Sequence, residues 1–401
     1  MRARTTLDLD RRPILVFWES TRACLLACRH CRADAQTTPV PGELTHGEAL
    51  EFLGSLAGFG SPPPILVITG GDALMRPGLS ELVGHARGLQ LPVALAPSVT
   101  PLLTDARLAE LRGLGVKVAS ISLDGAIAAT HEGVRGVDAH FEHTLEAIRR
   151  LRRHGFVVQV NTVVMRENVD ELPRIARIVR DTGASIWEVF FLVRVGRGSG
   201  MTELSPDENE DVCHFLYDAS RRGFVVRTVE GPMFRRVVAW REEGRPPAAG
   251  QLYAALAAGL ERELGPPTGP PKAQTKGTRD GRGIVFVSAT GEITPAGFLP
   301  IVLGDVRTDR IADVYREHPL LLDIRAARFR GKCGVCEYKP VCSGSRARAF
   351  AVTGDPLEAE PFCAHVPLRW QQMVEAGEAQ PVAEYFTERA LSRGIGLPVF
   401  G

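Results

Sequence analysis

Short apolar runs alternate with amphipathic stretches from residue 13 to about residue 228, and this alternation constrains the fold more than any other feature of the sequence. The runs have the length and composition of strands: Ile14–Trp18, Ile65–Thr69, Val93–Ala96, Val116–Leu123, Phe156–Val164 and Ile186–Val193. Between most of them lie helical patterns that end at Gly, such as LEAIRRLRRHG and ELPRIARIVRDTG. We therefore predict repeated strand–helix units and a parallel sheet covered by helices.

Six such units are too few to close an eight-stranded barrel, so the sequence predicts an α/β fold of one of two kinds. The chain forms either a partial barrel or an open, doubly wound sheet. In both arrangements ligands bind at the C-terminal ends of the strands. The segments that directly follow the predicted strands are therefore the expected place for a site.

The charge and the apolar content of the chain exclude several classes of protein. Lys and Arg number 48 and Asp and Glu 47, so the chain lacks the basic excess that is typical of nucleic-acid-binding proteins. No apolar run approaches the roughly 18 residues that a membrane helix needs, and no run after the basic N-terminus has the length of a signal peptide. We therefore expect a cytoplasmic protein that binds neither nucleic acid nor a membrane.

Seven of the eight cysteines fall into two groups, one near each end of the chain. In a reducing cytoplasm, grouped cysteines bind metal more often than they form disulfides. The eighth, Cys213, lies in the helical pattern DVCHFLYDAS and is expected to be a small buried apolar residue. The two groups therefore predict two metal centres.

The first group is Cys24-x3-Cys28-x2-Cys31, in the loop directly after the first predicted strand. A structural zinc site takes four protein ligands, and this loop offers three thiolates. Three thiolates on one short loop suit a [4Fe–4S] cluster, whose remaining iron is open to another ligand. The loop therefore predicts an iron–sulfur cluster with one open corner.

The run CLLACRHC, in the first strand-to-helix loop of such a chain, resembles the signature of the radical S-adenosylmethionine (SAM) superfamily. The resemblance implies that the open iron chelates the amino and carboxylate groups of SAM. It also implies that an electron from the cluster cleaves SAM to methionine and a 5′-deoxyadenosyl radical, which abstracts a hydrogen atom from the substrate. An external electron donor such as flavodoxin or ferredoxin would supply that electron. His30 fills a position that is usually aromatic in this superfamily.

Two later motifs follow the order of the same superfamily. Gly70-Gly71-Asp72, after the second strand, is similar to the motif that meets the amino group of SAM. Ser122 and Asp124, in the run SLDG after the fourth strand, match polar residues that lie near SAM or the substrate. The resemblance therefore implies that these residues bind the cofactor.

Three further positions carry weaker signals. Asn161 is polar inside an apolar strand, where a side chain of this kind needs partners, and the resemblance suggests the ribose or carboxylate of SAM. Arg197 lies in a loop that resembles an adenine-binding segment, and a solvated loop charge explains it equally well. The third strand ends in Ala96-Pro-Ser-Val-Thr100 instead of the frequent Asn-Gly, so no residue role is carried over there.

The second group of cysteines, Cys333-x2-Cys336-x5-Cys342-x20-Cys363, is a complete set of four thiolates. From spacing alone this set admits either structural zinc or a closed [4Fe–4S] cluster. Behind a radical SAM core it resembles a C-terminal extension of the SPASM/twitch type, which binds auxiliary iron–sulfur clusters. Versions with two such clusters need more cysteines than this chain has. The resemblance therefore implies one auxiliary [4Fe–4S] cluster.

Composition and the resemblance together divide the chain into four regions. They are a radical SAM core forming a partial (β/α)6 TIM-like barrel at 12–228, a Pro/Gly-rich linker or mobile lid at 229–283, a small SPASM/twitch-like iron–sulfur domain at 284–368, and a C-terminal helix and tail at 369–401. The linker contains one short helix at about 251–263. The iron–sulfur domain begins with a hairpin that turns at Thr290-Gly291.

The runs VGRG, GEITPAGFLP and CGVCEYKPVCSGSRARAFAVTGDPLEAEPFC are similar to radical SAM proteins of alternative haem and haem d1 biosynthesis. The resemblance covers about residues 12–368. It implies oxidative modification or decarboxylation of a tetrapyrrole side chain. Arg346 and Arg348 are then candidates to bind propionate carboxylates, and the alternative is that they pair with Asp355 or Glu358.

Two other functions stay open. Radical SAM enzymes with similar extensions also modify ribosomally synthesised peptides, so a peptide is the alternative substrate. An iron–sulfur electron carrier would use both clusters without consuming SAM. Such a carrier would not need the Gly70-Gly71-Asp72 motif or the Ser122 and Asp124 positions.

Overall fold

The apolar runs form strands in the computed structural model of the chain, which describes residues 8–247, 250–275 and 278–391. Each of the six predicted strands begins and ends within two residues of its expected position. The strands of these ranges are β1 (Leu15–Glu19), β2 (Ile65–Thr69), β3 (Val93–Leu95), β4 (Val118–Ser122), β5 (Val157–Val164), β6 (Ile186–Phe191), β7 (Val225–Val229), β8 (Ile284–Val287), β9 (Glu292–Thr294) and β10 (Gly304–Asp305).

Helices follow most of the strands, as the amphipathic patterns predict. Those of the described ranges are α1 (His46–Ser55), α2 (Leu79–Gly88), α3 (Asp105–Gly113), α4 (Ala128–Arg135), α5 (His140–Arg153), α6 (Leu172–Asp181), α7 (Pro206–Ala219), α8 (Met233–Glu242), α9 (Gln251–Leu264), α10 (Ile311–Glu317), α11 (Pro319–Arg325), α12 (Gly331–Gly334), α13 (Arg346–Thr353), α14 (Leu368–Glu375) and α15 (Val382–Leu391). None of them combines the length and the apolar character that crossing a bilayer requires.

The described chain divides into two compact units. The first holds the described residues up to Leu25, Ala35–Ala119 and those from 278 to Ala326. The second holds Leu26–Asp34 and the described residues from Ser120 to 275 and from Ala327 to 391. The core expected at 12–228 thus contributes to both units, and its limits as a domain stay a prediction.

Parallel strands form the centre of the first unit. They pair in the order β8-β1-β2-β3 and on to the start of β4, with Leu15 of β1 opposite Ile65 of β2. Side chains at alternate positions, such as Val16 and Ile68, are fully buried. Because these strands are parallel, the loops after β1, β2 and β3 leave the same edge of the sheet.

The second unit repeats the arrangement with β5, β6 and β7, which are also parallel. Trp187 of β6 is fully buried, and its ring meets the edges of Phe215 and Phe224 at centroid distances of 6.2 Å. Helix α9 packs against α6 and α7. The strand–helix order and the parallel pairing confirm the α/β class with a parallel sheet core.

The hairpin that the sequence assigns to the iron–sulfur domain lies in the first unit instead. Strands β8 and β9 are antiparallel and Gly291 has φ +94°, so the hairpin and its turn form as expected. However, β8 pairs in parallel with β1. The physical reason is that β1 would otherwise leave one side of its backbone without partners, and the apolar strand β8 supplies them.

The described residues of the segment at 229–283 are more ordered than an open linker. It contains α8, which the sequence did not predict, as well as α9 at the expected place. Leu256 and Leu260 of α9 are buried, and a Cβ atom on Gly259 would lie 2.8 Å from Pro173, so the helix approaches α6 closely. Apolar packing of these helices outweighs the Pro and Gly content around them. A lid function for this segment stays a prediction.

The C-terminal tail forms two helices, α14 and α15, where the sequence predicts one. The break between them falls at a Gly-containing turn, because Gly377 has φ +71°. The irregular end that the sequence predicts falls largely on residues 392–401, which lie outside the described residues.

Candidate active site

The loop after β1 carries Cys24, the first of the predicted cluster ligands. Cys24 is buried, and its backbone N–H donates to the carbonyl oxygen of Gln36 at 2.8 Å. Its Sγ atom lies 3.6 Å from the Oγ atom of Ser98, in the loop after β3. Cys24 therefore lies at the C-terminal edge of the parallel strands of the first unit, as the sequence predicts.

Gly70 and Gly71 bring the loop after β2 into direct contact with the backbone next to Cys24. A Cβ atom on Gly70 would lie 2.4 Å from the carbonyl oxygen of Thr21, and one on Gly71 would lie 2.4 Å from that of Ala23. The N–H of Gly71 donates to Thr21 at 2.8 Å, and the N–H of Asp72 donates to Ala23 at 2.7 Å. The two glycines are required because only residues without side chains fit between these backbones.

Asp72 is fully buried and its carboxylate is occupied by hydrogen bonds within the first unit. Its Oδ1 atom accepts from the N–H groups of Leu74 at 3.0 Å and Ser98 at 3.2 Å, and Oδ2 accepts from the Thr100 hydroxyl at 2.8 Å. Burial raises the pKa of Asp72, and these hydrogen bonds oppose that shift. The carboxylate therefore ties the loop after β2 to the loop after β3.

Ser98 and Thr100 are site residues that sequence reasoning missed. The loop that contains them departs from the familiar pattern, so no role was carried over. The available signal was two hydroxyl side chains directly after a parallel strand, at the edge where ligands bind. In the structure Ser98 contacts both Asp72 and Cys24, and Thr100 donates to Asp72.

Cys28 and Cys31 belong to the second unit, where the loop after β6 holds them. The N–H of Arg197 donates to the carbonyl oxygen of Cys31 at 3.0 Å, and its Nε donates to that of Cys28 at 2.9 Å. A Cβ atom on Gly196 would lie 2.5 Å from the Cys31 oxygen. Arg197 also pairs with Asp34 at 3.2 Å. Its role is thus to hold the cysteine loop, which neither expectation for Arg197 included.

Asp124 joins the same cysteine loop to the ends of β4 and β5. Its buried carboxylate contacts His30 Nε2 at 2.9 Å and the guanidinium group of Arg135, and it accepts the N–H of Val163 at 2.8 Å. Nη1 of Arg135 in turn donates to the Sγ atom of Cys28 at 3.6 Å. Arg135 is a second residue that the sequence analysis missed, and it connects a predicted cluster ligand to a predicted cofactor residue.

The charges around Asp124 balance. Burial of Asp124 raises its pKa, but the charge of Arg135 and the neighbouring His30 lower it by a larger amount. The pKa of Asp124 therefore lies below its ordinary value, and the group is ionised at neutral pH. His131 accepts the Asp124 N–H at its Nδ1 atom, 3.1 Å away. Burial and the charge of Arg135 lower the pKa of His131 to about 3, so its ring is neutral and carries its proton on Nε2.

Ser122 and Asn161, the remaining predicted cofactor residues, are half-buried on β4 and β5. The Oδ1 atom of Asn161 accepts from Gln159 Nε2 at 2.8 Å, and the same nitrogen donates to Glu188 on β6 at 2.7 Å. This short polar row explains how a strand interior tolerates Asn161. Contact of Ser122 and Asn161 with a cofactor stays a prediction.

The four cysteines of the second group line one cavity in the second unit: Cys333, Cys336, Cys342 and Cys363. Among the described residues, only one set of three or more His, Cys, Asp and Glu side chains has ligand atoms that all lie within 4.8 Å of one another. This set is Cys336, Glu337 and His365. No three cysteine sulfurs are therefore that close. Zinc–sulfur bonds of about 2.3 Å in a tetrahedron place sulfurs about 3.8 Å apart. The sulfurs in this structure are therefore not arranged as in a closed zinc site, and the nature of the metal centre stays a prediction.

The chemistry of these thiols also fits a metal centre. Burial is the largest cause that raises the pKa of Cys336 to about 11 and of Cys342 to about 12, and neighbouring thiols add to it. Such thiols ionise at neutral pH only when a positive metal takes the place of the protons. Cys213, by contrast, is fully buried in α7, as a packed apolar residue would be.

Arg346 and Arg348, the candidate propionate-binding residues, are each only 1% exposed. Arg346 donates to the carbonyl oxygen of Glu358 at 2.6 Å. Arg348 donates to the carbonyl oxygen of Glu230 at 3.3 Å and lies 3.5 Å from the carboxylate of Glu360. Both guanidinium groups are thus used within the protein, which favours a structural role, and the binding of propionates by them stays a prediction.

The two acids expected as their alternative partners pair elsewhere. Asp355 pairs with Arg330, and the Glu358 carboxylate lies 3.1 Å from Arg389 and accepts from the hydroxyl of Tyr385 at 2.6 Å. The acid beside Arg348 is Glu360, which lies further along the chain than the sequence suggested. Its N–H donates to the Sγ atom of Cys333 at 3.3 Å.

Comparison with known proteins gives consistent results. The model of the Radical SAM superfamily matches residues 18–179. The protein named AdoMet-dependent heme synthase from Methanosarcina barkeri is 37% identical over 364 residues, which are 90% of this chain and 99% of that protein. The pre-heme d1 synthase of Dinoroseobacter shibae is 28% identical over 87% of this chain and 85% of its own length.

A solved structure resembles the fold. Streptococcus suis SuiB bound to S-adenosylmethionine superposes with a TM-score of 0.63 over 88% of this chain and 78% of that chain. The sequence identity between the two is 12%, so this similarity concerns the fold alone.

Proposed function

The chain belongs to the radical SAM superfamily and is an enzyme, and on this premise we propose that it modifies a carboxylate-bearing side chain of a tetrapyrrole by oxidative decarboxylation. The observation that carries the proposal is the 37% identity to AdoMet-dependent heme synthase, which extends over 99% of that protein. The proposed substrate is a haem precursor, and the proposed product carries a vinyl group where the substrate carried a propionate.

Cys24, Cys28 and Cys31 are proposed to hold the [4Fe–4S] cluster that binds SAM. When bound, the cluster and SAM supply the 5′-deoxyadenosyl radical that abstracts hydrogen from the substrate. Ser98 lies within reach of the Cys24 sulfur, and Arg135 donates to the Cys28 sulfur. Such contacts stabilise the thiolate form and orient the ligands.

The Gly70-Gly71-Asp72 turn is proposed to meet the amino group of SAM, and Ser122 and Asn161 are proposed to lie near its other polar groups. The Asp72 carboxylate already accepts three hydrogen bonds, so we assign the contact with the amino group to the backbone of this turn. Asp124 is likewise engaged by His30 and Arg135, and we assign it the positioning of the cysteine loop.

The electron count of the proposed reaction balances. One electron enters from flavodoxin or ferredoxin when SAM is cleaved. One electron leaves when the substrate radical R–CH•–CH2–COO⁻ becomes R–CH=CH2 and releases CO2. A single auxiliary [4Fe–4S] cluster at the second cysteine site is proposed to accept that electron, and the wide spacing of its sulfurs supports this assignment over zinc.

The test is made under anaerobic conditions with the reconstituted protein, SAM and dithionite. 5′-Deoxyadenosine is quantified with and without iron coproporphyrin or didecarboxysirohaem, and the molecular mass of the tetrapyrrole is measured by mass spectrometry. We expect one of the two to stimulate 5′-deoxyadenosine formation and to lose one or two CO2. The variant Cys24→Ala is expected to abolish SAM cleavage, and the matched variant Cys213→Ala, which changes a packed cysteine, is expected to retain it.

The possible failures separate the alternatives. Slow formation of 5′-deoxyadenosine that neither tetrapyrrole changes would refute the proposed substrate and turn the search to peptides. Iron–sulfur clusters that undergo reduction without any cleavage of SAM would identify an electron carrier instead. Cleavage that persists in Cys24→Ala would contradict the assignment of the first cluster.

A further inference from the structure

Basic side chains surround the cavity of the second cysteine site. Arg236 of α8, Lys332 of α12 and Lys339 line it together with the four cysteines, and Glu360 is the acidic residue of the lining. These cations differ in burial and in the groups that compensate their charge. Both properties affect how strongly each cation acts on a charge in the cavity.

Lys332 is 3% exposed and directly precedes the ligand Cys333. Its Nζ atom donates to the carbonyl oxygen of Cys363 at 2.5 Å and lies 5.9 Å from the centre of the Phe386 ring. Among the described residues, no carboxylate oxygen lies within 4.0 Å of the Lys332 Nζ atom, the distance at which the two would form an ion pair. A buried ammonium group is stabilised when an anion lies close to it. Thiolates formed by the cavity cysteines would be anions of this kind close to Lys332, in addition to the lining carboxylate of Glu360.

The other two cations are compensated or screened. Arg236 is buried, but its guanidinium group makes a two-pronged ion pair with Glu210, with N–O distances of 2.8 and 2.5 Å. Lys339 is half-buried and its Nζ atom donates to the carbonyl oxygen of Gly334 at 2.9 Å, so water screens its charge. Lys332 is therefore the lining cation whose charge is both buried and uncompensated by a carboxylate.

We propose that Lys332 sets the reduction potential of the auxiliary cluster, by stabilising its reduced form through the buried ammonium group. The inference rests on the proposed function, because it requires a [4Fe–4S] cluster at the four cysteines. A cluster held by four thiolates is negatively charged and gains a further negative charge on reduction. A fixed cation in surroundings of low dielectric constant lowers the energy of the more negative state by the larger amount. Lys332 thereby makes the cluster a better acceptor for the electron that leaves with CO2.

The test measures the auxiliary cluster alone. A full-length protein with Cys24, Cys28 and Cys31 changed to Ala lacks the first site, and we expect it to keep about four iron atoms per chain. Lys332→Met, Lys332→Arg and Lys339→Met are added to this background, and the midpoint potential is measured by redox titration followed by electron paramagnetic resonance. Lys339→Met is the matched control, because it removes an ammonium group that also lines the cavity and also binds a backbone carbonyl.

We expect Lys332→Met to lower the midpoint potential by at least ~59 mV, a tenfold change in the one-electron equilibrium constant. Lys332→Arg keeps the charge and is expected to stay near the parent value, while Lys339→Met shifts the potential less. Equal potentials in Lys332→Met and the parent, or equal shifts in Lys332→Met and Lys339→Met, would overturn the inference.

The remaining outcomes are also decisive. A parent protein that binds zinc or no metal contradicts the auxiliary cluster itself, and so the proposed function of the second site. If Lys332→Met fails to assemble the cluster, Lys332→Gln removes the charge but keeps a hydrogen-bond donor, and its potential decides the question. Loss of the cluster in both neutral variants, with retention in Lys332→Arg, would assign the charge to assembly and overturn its role in the potential.

Discussion

The variant Gly71→Ala places a methyl group where backbone atoms already lie. Its Cβ atom would come within 2.4 Å of the Ala23 carbonyl oxygen and 2.6 Å of the Arg22 carbonyl oxygen, whereas ordinary contacts begin at 3.4 Å. The loop after β2 and the loop after β1 must therefore separate by about 1 Å. Neither obstacle is the end of a flexible side chain, so the shift displaces backbone and, with it, the neighbouring Cys24.

The cost follows from this geometry. Overpacking in a well-packed region costs about 1–3 kcal/mol. The separation also weakens the hydrogen bonds from Gly71 to Thr21 and from Asp72 to Ala23, each of which contributes about 1 kcal/mol. We expect the free energy of unfolding to fall by about 2–4 kcal/mol. Because Cys24, a proposed ligand of the first cluster, moves, we also expect iron to fall from about eight to about four atoms per chain.

The assay combines anaerobic urea unfolding, iron quantification and 5′-deoxyadenosine formation. The matched control is Gly54→Ala in helix α1, where a Cβ atom meets nothing within 4 Å and replacing Gly is expected to stabilise the helix by about 0.5–1 kcal/mol. Gly71→Ala with full iron content, unchanged SAM cleavage and a stability equal to that of Gly54→Ala would refute the assignment of this contact.

Three further predictions concern charge and metal. In the unfolded chain His131 takes up a proton near pH 6.5, but in the folded protein its pKa is about 3, so stability falls as pH drops between these values. Relative to the variant His131→Asn, the free energy of unfolding of the wild type should fall by about 1.4 kcal/mol for each pH unit in that window. If urea unfolding gave parallel pH profiles for the two proteins, this prediction would be wrong. The variant Arg135→Gln leaves the buried carboxylate of Asp124 without its guanidinium partner and should lower the free energy of unfolding by about 3–5 kcal/mol. Adding Asp124→Asn should recover part of this loss. Additive losses in the double-mutant cycle would show that the ion pair is not the source of the effect. Cys342→Ala should lower iron from about eight to about four atoms per chain while Cys213→Ala keeps it, and equal iron contents in both variants would remove Cys342 from the ligand set.

The strands and the cysteine positions were predictable because their signals are local. Each apolar run is long enough to specify a strand by itself, and all six runs form strands at the expected places. Helix α8 was missed because it lies in a stretch whose Pro and Gly content signals a linker, whereas its packing depends on residues elsewhere in the chain. The pairing of β8 with β1 was missed because it also depends on residues elsewhere in the chain. The sequence of Ile284–Val287 predicts a strand but does not specify its partner strand.

The partners of the site residues were not predictable in this way. Arg135 contacts the sulfur of Cys28 across 107 positions of sequence, and Ser98 approaches Cys24 across 74. Neither residue stands in a motif that carries its role. By contrast, Gly70 and Gly71 were predictable as a motif, although their physical reason, the exclusion of any Cβ atom by Thr21 and Ala23, appears only in the structure.

By itself the sequence determined the alternation of strands and helices, the spacing of the two cysteine groups and the order of the motifs along the chain. These follow from side-chain types at short range, where a few neighbouring residues decide the outcome. The tertiary structure alone decided which charges share a buried environment: Asp124 with Arg135, Arg236 with Glu210, and Lys332 with the four cysteines. The physical reason is that ion pairs and hydrogen bonds act over about 3–4 Å, and only packing brings distant segments to that separation.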